Sequence, residues 1–384
     1  MSRWRRYEPL VLLAIPVIWA LVVCREAYMT DPDSYLHIGC ARRLVSGGCI
    51  RTFPWLPYTT LADPFPNMYL GQHALLAPFA SVLPPGMALR AGVLVLSSGL
   101  AASLYLVLRR HGVARPAWWV LFGLVAVPQP LIYTLYIKGA ATFLILLVWF
   151  VDAVWAGRTR RTFVLAWLSV YVYVGATVLV PFAIVHVFVV RGLERRWTWS
   201  LVGATLLGLT AGMFAHPGWP AHWLHIAREL RTMVEFDPRL VPGVLRGAEW
   251  VPLVGPQIAS LVGPLLVAWC VVLVRRLAER CEPVPSGALS ATIAMLGLLG
   301  ASLISGTKML ELAAVFSILA LPRVAGVLAW PRWVAPLMVA LGIALCVRNV
   351  VRLADELARP GFSHPRDYED LAAWLAPRTD PEEV

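Results

Sequence analysis

Apolar runs of membrane-crossing length recur along this chain, and most of them stop at arginine. They fall at about 9–24, 88–108, 117–131, 138–156, 162–174, 176–190, 198–214, 258–274, 287–305, 309–326 and 333–350. A hydrocarbon layer of about 30 Å needs roughly 20 apolar residues per helix, and basic residues collect at the ends that stay inside. Composition supports the same reading: 59% of 384 residues are hydrophobic, 14% are charged and the mean hydropathy is +0.70. A soluble chain of this size could not cover so much apolar surface with so few charges. The expected fold is all-α, a polytopic integral membrane protein with about 11 transmembrane helices. Many of the 17 tryptophans fall at segment ends, where an amphipathic ring suits the interface.

The net charge of +11 follows the same topology. With the N-terminus inside, the inner segments gather clusters such as Arg3, Arg5 and Arg6, then Arg109 and Arg110, Arg158, Arg160 and Arg161, and Arg191, Arg195 and Arg196. The outer segments are nearly balanced, so the basic excess sets orientation and gives no support for a nucleic-acid partner. The stretch 162–190 lies between two arginine clusters, and both stay on one side only if it forms a short hairpin. The basic, apolar start "MSRWRRYEPLVLLAIPVIWALVVC" is expected to be a retained signal-anchor. Cys40 and Cys49 share one outer loop, as a disulfide or as two unpaired thiols. Asp152 is expected to pair with Arg158.

Residues 1–350 form the expected transmembrane domain, and 351–384 a short outer tail. Two long segments do not behave as spans. Segment 25–87 is outer, rich in proline and aromatic residues. Segment 215–257 has too many charges and prolines to cross, and Trp223, Ile226, Leu230 and Met233 recur at helical spacing, which suits an amphipathic helix in the interface plane. Loops this long in a compact protein usually carry function.

The most chemical of these stretches is "MTDPDSYLHIGCARRLVSGG", residues 29–48. Asp33 before Ser34 is an N-cap signal, and the helix that follows would end at Gly47 and Gly48. A carboxylate at a helix N-terminus is stabilised as the anion. Asp31 and Asp33, two residues apart, can hold one hard divalent cation such as Mg or Mn. One of them can instead act as a general base, or Asp33 simply caps the helix and Asp31 is solvated.

"DPDSYLHIGCAR" resembles the first outer-loop motif of the GT-C superfamily, membrane glycosyltransferases that use polyprenyl-phosphate-linked donors and include oligosaccharyltransferase catalytic subunits and protein O-mannosyltransferases. Asp33, Tyr35, Ala41 and Arg42 fit the oligosaccharyltransferase pattern, and the run from Asp33 to His37 is similar to its archaeal form. The resemblance implies a long first outer loop and an active site on the outer face of a bacterial inner membrane. It implies that Asp33 is the catalytic carboxylate, binding a metal or activating the acceptor, with Asp31 its companion. Tyr35, His37 and Arg42 would line the substrate site. "GQHALLAPF" at 71–79 resembles the helix that closes that loop and makes His73 a further candidate. "SGTKMLELAAVFSILALP" at 305–322 is similar to the start of a late span, placing Lys308 toward a lipid-linked phosphate with Glu311 one turn on.

The sequence also departs from that pattern. The next outer loop, "VPQPLIYTLYIKGA", carries Lys138 and no second acidic motif, and the Trp-Trp-Asp-Tyr-Gly motif is absent. Lys138 would meet phosphate or snorkel into the headgroups, and Arg42 would clamp a diphosphate or meet lipid heads. His222 and His225, with His216 nearby, would bind metal or pack as interfacial aromatics. The expectation is sugar transfer from a polyprenyl-phosphate-linked donor to an unknown acceptor, with membrane lipids as surroundings. The alternatives are a non-catalytic protein of the same architecture that binds or assembles lipid-linked glycan and, third, a transporter. A transporter would place ionisable residues near the midplane of several spans, and almost none are found.

Overall fold

A computed structural model describes residues 32–48, 65, 67–127, 129–235, 255–279, 283–305, 308–326 and 344. Within these, the side chains at 32, 33, 35, 229–235, 255–262, 277–279, 303–305 and 308 are not described. The spans expected at 9–24 and 333–350, the tail 351–384, Asp31 and Cys49 therefore lie outside the described residues, as do the side chains of Asp33, Tyr35 and Lys308.

The described residues are helical and contain no strand. The helices are α1 (Pro32–Gly47), α2 (Leu70–Val82), α3 (Pro85–Arg110), α4 (Pro116–Ala126), α5 (Gln129–Leu135), α6 (Gly139–Trp155) and α7 (Thr159–Ser169). A short 3-10 turn, Val174–Val178, leads into α8 (Leu179–Glu194), followed by α9 (Trp199–Ala215), α10 (Ala221–Glu235), α11 (Gly255–Glu279), α12 (Ser286–Ser305) and α13 (Lys308–Ala325). Two segments, Pro85–Arg110 and Val174–Glu194, are long and apolar enough to cross a membrane; a third qualifies if α4 and α5 count as one bent span. Leu94, Leu106, Phe188, Leu207 and Val267 all lie exposed on helix surfaces, as expected of faces meeting lipid.

The expected apolar runs that fall within the described residues are helical, with two breaks that residue chemistry explains. The run 117–131 bends by 79° between α4 and α5. Val127 precedes Pro128, and the proline ring drives it out of helical geometry to an extended φ of −130°. The stretch 162–190 folds as the expected hairpin: α7 stops at Ser169, Tyr173 is extended, and the chain returns through α8. The run "VYVYV" at the turn combines β-branched and aromatic residues, which hold helix poorly.

Helices α3 and α6 run parallel and in step. A methyl on Gly92 would stand 3.0 Å from Ile137, and one on Gly99 would stand 3.0 Å from Ile145. Further along, the Trp149 indole donates to Ser103 Oγ at 3.0 Å, and the Arg110 guanidinium meets the Asp152 carboxylate. The two C-termini therefore lie level and define an arginine end. There Asp152, buried, takes Arg110 and the His111 ring at 3.1 Å as partners rather than the expected Arg158. Gly157 turns the chain away with φ +65°, leaving Arg158 exposed with only its backbone N–H directed to Ala153. Ser286 donates to Glu194 at 2.6 Å, and Gly287 abuts Trp155 and Arg323, so α8, α12 and α13 reach the same end.

The opposite end is aromatic. Gly71 N–H donates to the Tyr171 carbonyl at 2.6 Å, the Tyr171 ring lies 5.2 Å from His216, and Gly139 is wedged between Tyr69 and the Val172 carbonyl.

Helices α7 and α9 also pack in parallel, and here the contact is backbone to backbone. A methyl on Gly208 would run into the Phe163 carbonyl oxygen, and one on Gly212 would sit 2.8 Å from the Trp167 carbonyl. Small residues four apart are what lets helices approach this closely where lipid offers no hydrophobic drive. Gly208→Ala should therefore destabilise the protein by about 1–3 kcal/mol through overpacking. Gly203→Ala, on the same helix with open space around it, should be neutral or mildly stabilising. Thermal unfolding of both variants in detergent checks the contrast.

Candidate functional site

Helix α1 forms where the "DPDSYLHIGCARR" stretch expects one, but it starts at Pro32. Asp33 is thus in the first turn and is not the cap. Proline suits that first position, because its missing N–H has no helical acceptor there. The end falls where expected, with Gly48 at φ +78°. Ser34, His37, Ile38 and Ala41 form the buried stripe of α1, spaced as one helical face.

That stripe is seated on α2 and on the α5–α6 turn by specific bonds. His37 Nδ1 and His73 Nε2 are 2.9 Å apart, both rings buried, and Tyr69 meets His37 edge-on at 5.1 Å. Ser34 Oγ donates to the Tyr136 carbonyl at 2.9 Å. Arg42 donates from Nε to the Ala80 carbonyl at 2.9 Å and from Nη2 to Leu83 at 2.8 Å. It thereby satisfies the carbonyls at the end of α2, a use that neither expectation for Arg42 included. At the start of α2, Gln72 donates to Ile137 at 3.1 Å and accepts from Thr142. His37 and His73, two of the expected site residues, are therefore in direct contact one turn along from Asp33.

Two other expected residues, Lys138 and Glu311, lie at the same end. Lys138 is half-buried at the start of α6, its ammonium 5.8 Å from the Tyr136 ring centroid. Glu311, in the first turn of α13, is fully buried, and the Tyr173 hydroxyl donates to its Oε1 at 3.4 Å. Tyr173 in turn lies against Phe143 at 5.2 Å. The Tyr69, Gly139 and Val172 contact links this group to the His37–His73 pair.

Asn67, Tyr69, Tyr171 and Tyr173 at this end were not anticipated. Asn67 sits at φ +34°, buried, and its Oδ1 has no partner among the described residues; the same holds for His73 Nδ1 and His216 Nε2. Buried polar atoms are almost always paired, so these three have acceptors or donors to find beyond the described residues. The aromatic "YVYV" and "NMY" runs hold the residues, but sequence alone gave no reason to bring them together.

The His216–His222–His225 group serves packing. The His216 and His222 rings stack at 4.0 Å and 15°, so their in-plane lone pairs run side by side and do not converge on one ion. Among the described residues no group of three His, Cys, Asp or Glu is placed to hold a metal. The expected ligands Asp31 and Asp33 are not among the described side chains. On α10, His222 and Ile226 face inward while Trp223 and Leu224 are exposed, so Trp223 is not on the stripe with Ile226. The Leu230 and Met233 side chains lie outside the described residues. Cys40 is a buried free thiol pushed up to about 11 by burial, with Arg43 opposing, so it is a weak nucleophile.

His73 and His216 lie outside the expected spans, and both are held well below the ordinary histidine range. For His73 the causes are burial and then His37; for His216, lowered to about 3, they are burial and then His222, with an Asn67 backbone group opposing. Each therefore binds a proton more readily unfolded than folded. Stability should be constant above about pH 6.5 and fall below it, by at most about 1.4 kcal/mol per pH unit for each histidine. Unfolding curves between pH 7 and 5 should show this slope, and His216→Gln should flatten it.

No family model matches the chain, and no curated protein matches it, so its functional reading rests on its own residues.

Proposed function

We propose that the chain is a polytopic membrane glycosyltransferase of about 11 spans that moves a sugar from a polyprenyl-phosphate-linked donor to an acceptor at its aromatic end, on the outer side of the membrane. The single observation that carries this reading is the company α1 keeps. The helix bearing Asp33 is seated through His37 on His73, beside buried polar atoms awaiting partners and a wall of Tyr69, Tyr171 and Tyr173. Aromatic faces and buried hydrogen-bonding atoms suit a polyhydroxyl ligand. Sugar transfer needs a base at the acceptor and charge stabilisation at the departing phosphate. Asp33, alone or through a divalent metal held with Asp31, supplies the first; Lys138 and Lys308 supply the second. Glu311 supplies a carboxylate at the same end, hydrogen-bonded to Tyr173. The concentration of arginine at the other end supports this orientation.

One observation favours the non-catalytic alternative, a protein that binds or assembles lipid-linked glycan. Arg42, the candidate diphosphate clamp, already spends two donors on α2 carbonyls.

Asp33→Asn separates the two. In membranes supplied with polyprenyl-phosphate-linked sugars and Mg or Mn, the wild type should transfer sugar and the variant should lose about a hundredfold or more of that rate. Transfer unchanged by the substitution removes Asp33 from the mechanism. Donor binding without turnover in the wild type decides for the binding protein.

A further inference from the structure

At the arginine end, two hydrogen-bond donors are buried with no acceptor among the described residues. Arg323 Nη1 and Trp155 Nε1 have no partner among the described residues. They are neighbours: Arg323 Cζ lies 4.5 Å from the Trp155 ring centroid. A methyl on Gly287 would stand 2.9 Å from Arg323 Nη1 and 2.8 Å from Trp155 Cδ1, the carbon bonded to Nε1. Both donors therefore flank one point on α12. His111 closes the side, edge-on to Trp155 at 5.1 Å.

Two acids described at this end are already engaged. Asp152 is paired with Arg110 and His111, and Glu194 is held by Arg196 at 2.7 Å and Ser286 at 2.6 Å. Arg323 is half-buried, and its buried Nη1, with the orphan indole N–H next to it, has no described acceptor; a negatively charged one suits a guanidinium best. Two fixed donors, one on a planar fork, suit the oxygens of a phosphate better than a spherical ion.

We propose that Arg323 and Trp155, at the junction of α6, α12 and α13, form a phosphate-binding site distinct from the aromatic end. Its ligand is the phosphate of an anionic phospholipid headgroup from the adjoining leaflet, or a soluble phosphate with the same chemistry. The site needs no sugar transfer and stands whatever the aromatic end does.

The test uses the full chain with tryptophan labelled at the indole nitrogen, the Trp155 resonance being assigned by its loss in Trp155→Phe. Placed in bilayer discs of phosphatidylglycerol, the wild type should show that resonance displaced from its position in phosphatidylcholine. Arg323→Gln should weaken the apparent phosphatidylglycerol affinity by about tenfold or more, and Arg323→Lys, which keeps the charge and loses the fork, by less. Inorganic phosphate added to the phosphatidylcholine discs distinguishes the sources. A matching displacement assigns the site to soluble phosphate, and none assigns it to the headgroup. If neither ligand moves the Trp155 resonance, the proposal is overturned, and the Arg323–Trp155 stack is packing alone. Because the wild-type readout does not depend on Arg323→Gln, failure of that variant to fold would not leave the question open.

Discussion

The parallel register of α3 and α6 is the constraint on which the rest of the structure depends. Gly92 and Gly99 bring the two helices close enough for Ile137 and Ile145 to seat against bare backbone, and the Trp149–Ser103 bond fixes the step between them. Because the helices keep this step to their C-termini they finish level, so Arg110 and Asp152 meet without any loop arranging it. A buried carboxylate removed from that partner would be costly, which makes the pair a specifier of register more than a source of net stability. The remaining helices inherit their heights from this pair: α2 through Leu76 against Gly92, and the hairpin of α7 and α8 through the turn that abuts Gly71 and Gly139.

From that register follow two ends with different chemistry. The arginine end gathers cations, one buried acid and tryptophans that carry guanidinium groups on their faces, as Trp149 does for Arg110 and Trp155 for Arg323. The aromatic end gathers tyrosines, neutral histidines and a buried glutamate, with α1 laid across it. Guanidinium groups thus dominate one end, while aromatic rings and buried hydrogen-bonding side chains dominate the other.

The helices were largely legible because their signal is additive: a run of apolar residues stopped by arginine survives errors of several positions. The hairpin at 162–190 was legible from charge alone, since Arg158 and Arg191 had to share a side. Contacts between distant residues were not. Nothing near Asp152 in the sequence points to Arg110, because the pairing depends on two helices being in step. Gly208 and Gly212 carry the spacing of a close helix contact, yet their partners are the carbonyls of Phe163 and Trp167, and backbone has no sequence signature. At the site, His37 and His73 were each picked out singly. That they bond to one another, and that Asn67, Tyr173 and His216 join them, is a product of the fold. Asp33 is legible as a motif, and its side chain lies outside the described residues.

The short helix α7 has one more effect, on the membrane itself. It keeps step with α9, Phe163 beside Gly208 and Trp167 beside Gly212, yet it begins at Thr159 where α9 begins at Trp199. In that register α7 starts about five residues late, roughly 7–8 Å below the level of Trp199. Arg158, Arg160 and Arg161 are exposed at this recessed level, while Trp197 and Trp199 mark the interface beside them. Guanidinium groups avoid hydrocarbon, so in a bilayer these three arginines would have to span that offset, by snorkelling along the flank of α9 or by thinning the lipid beside it.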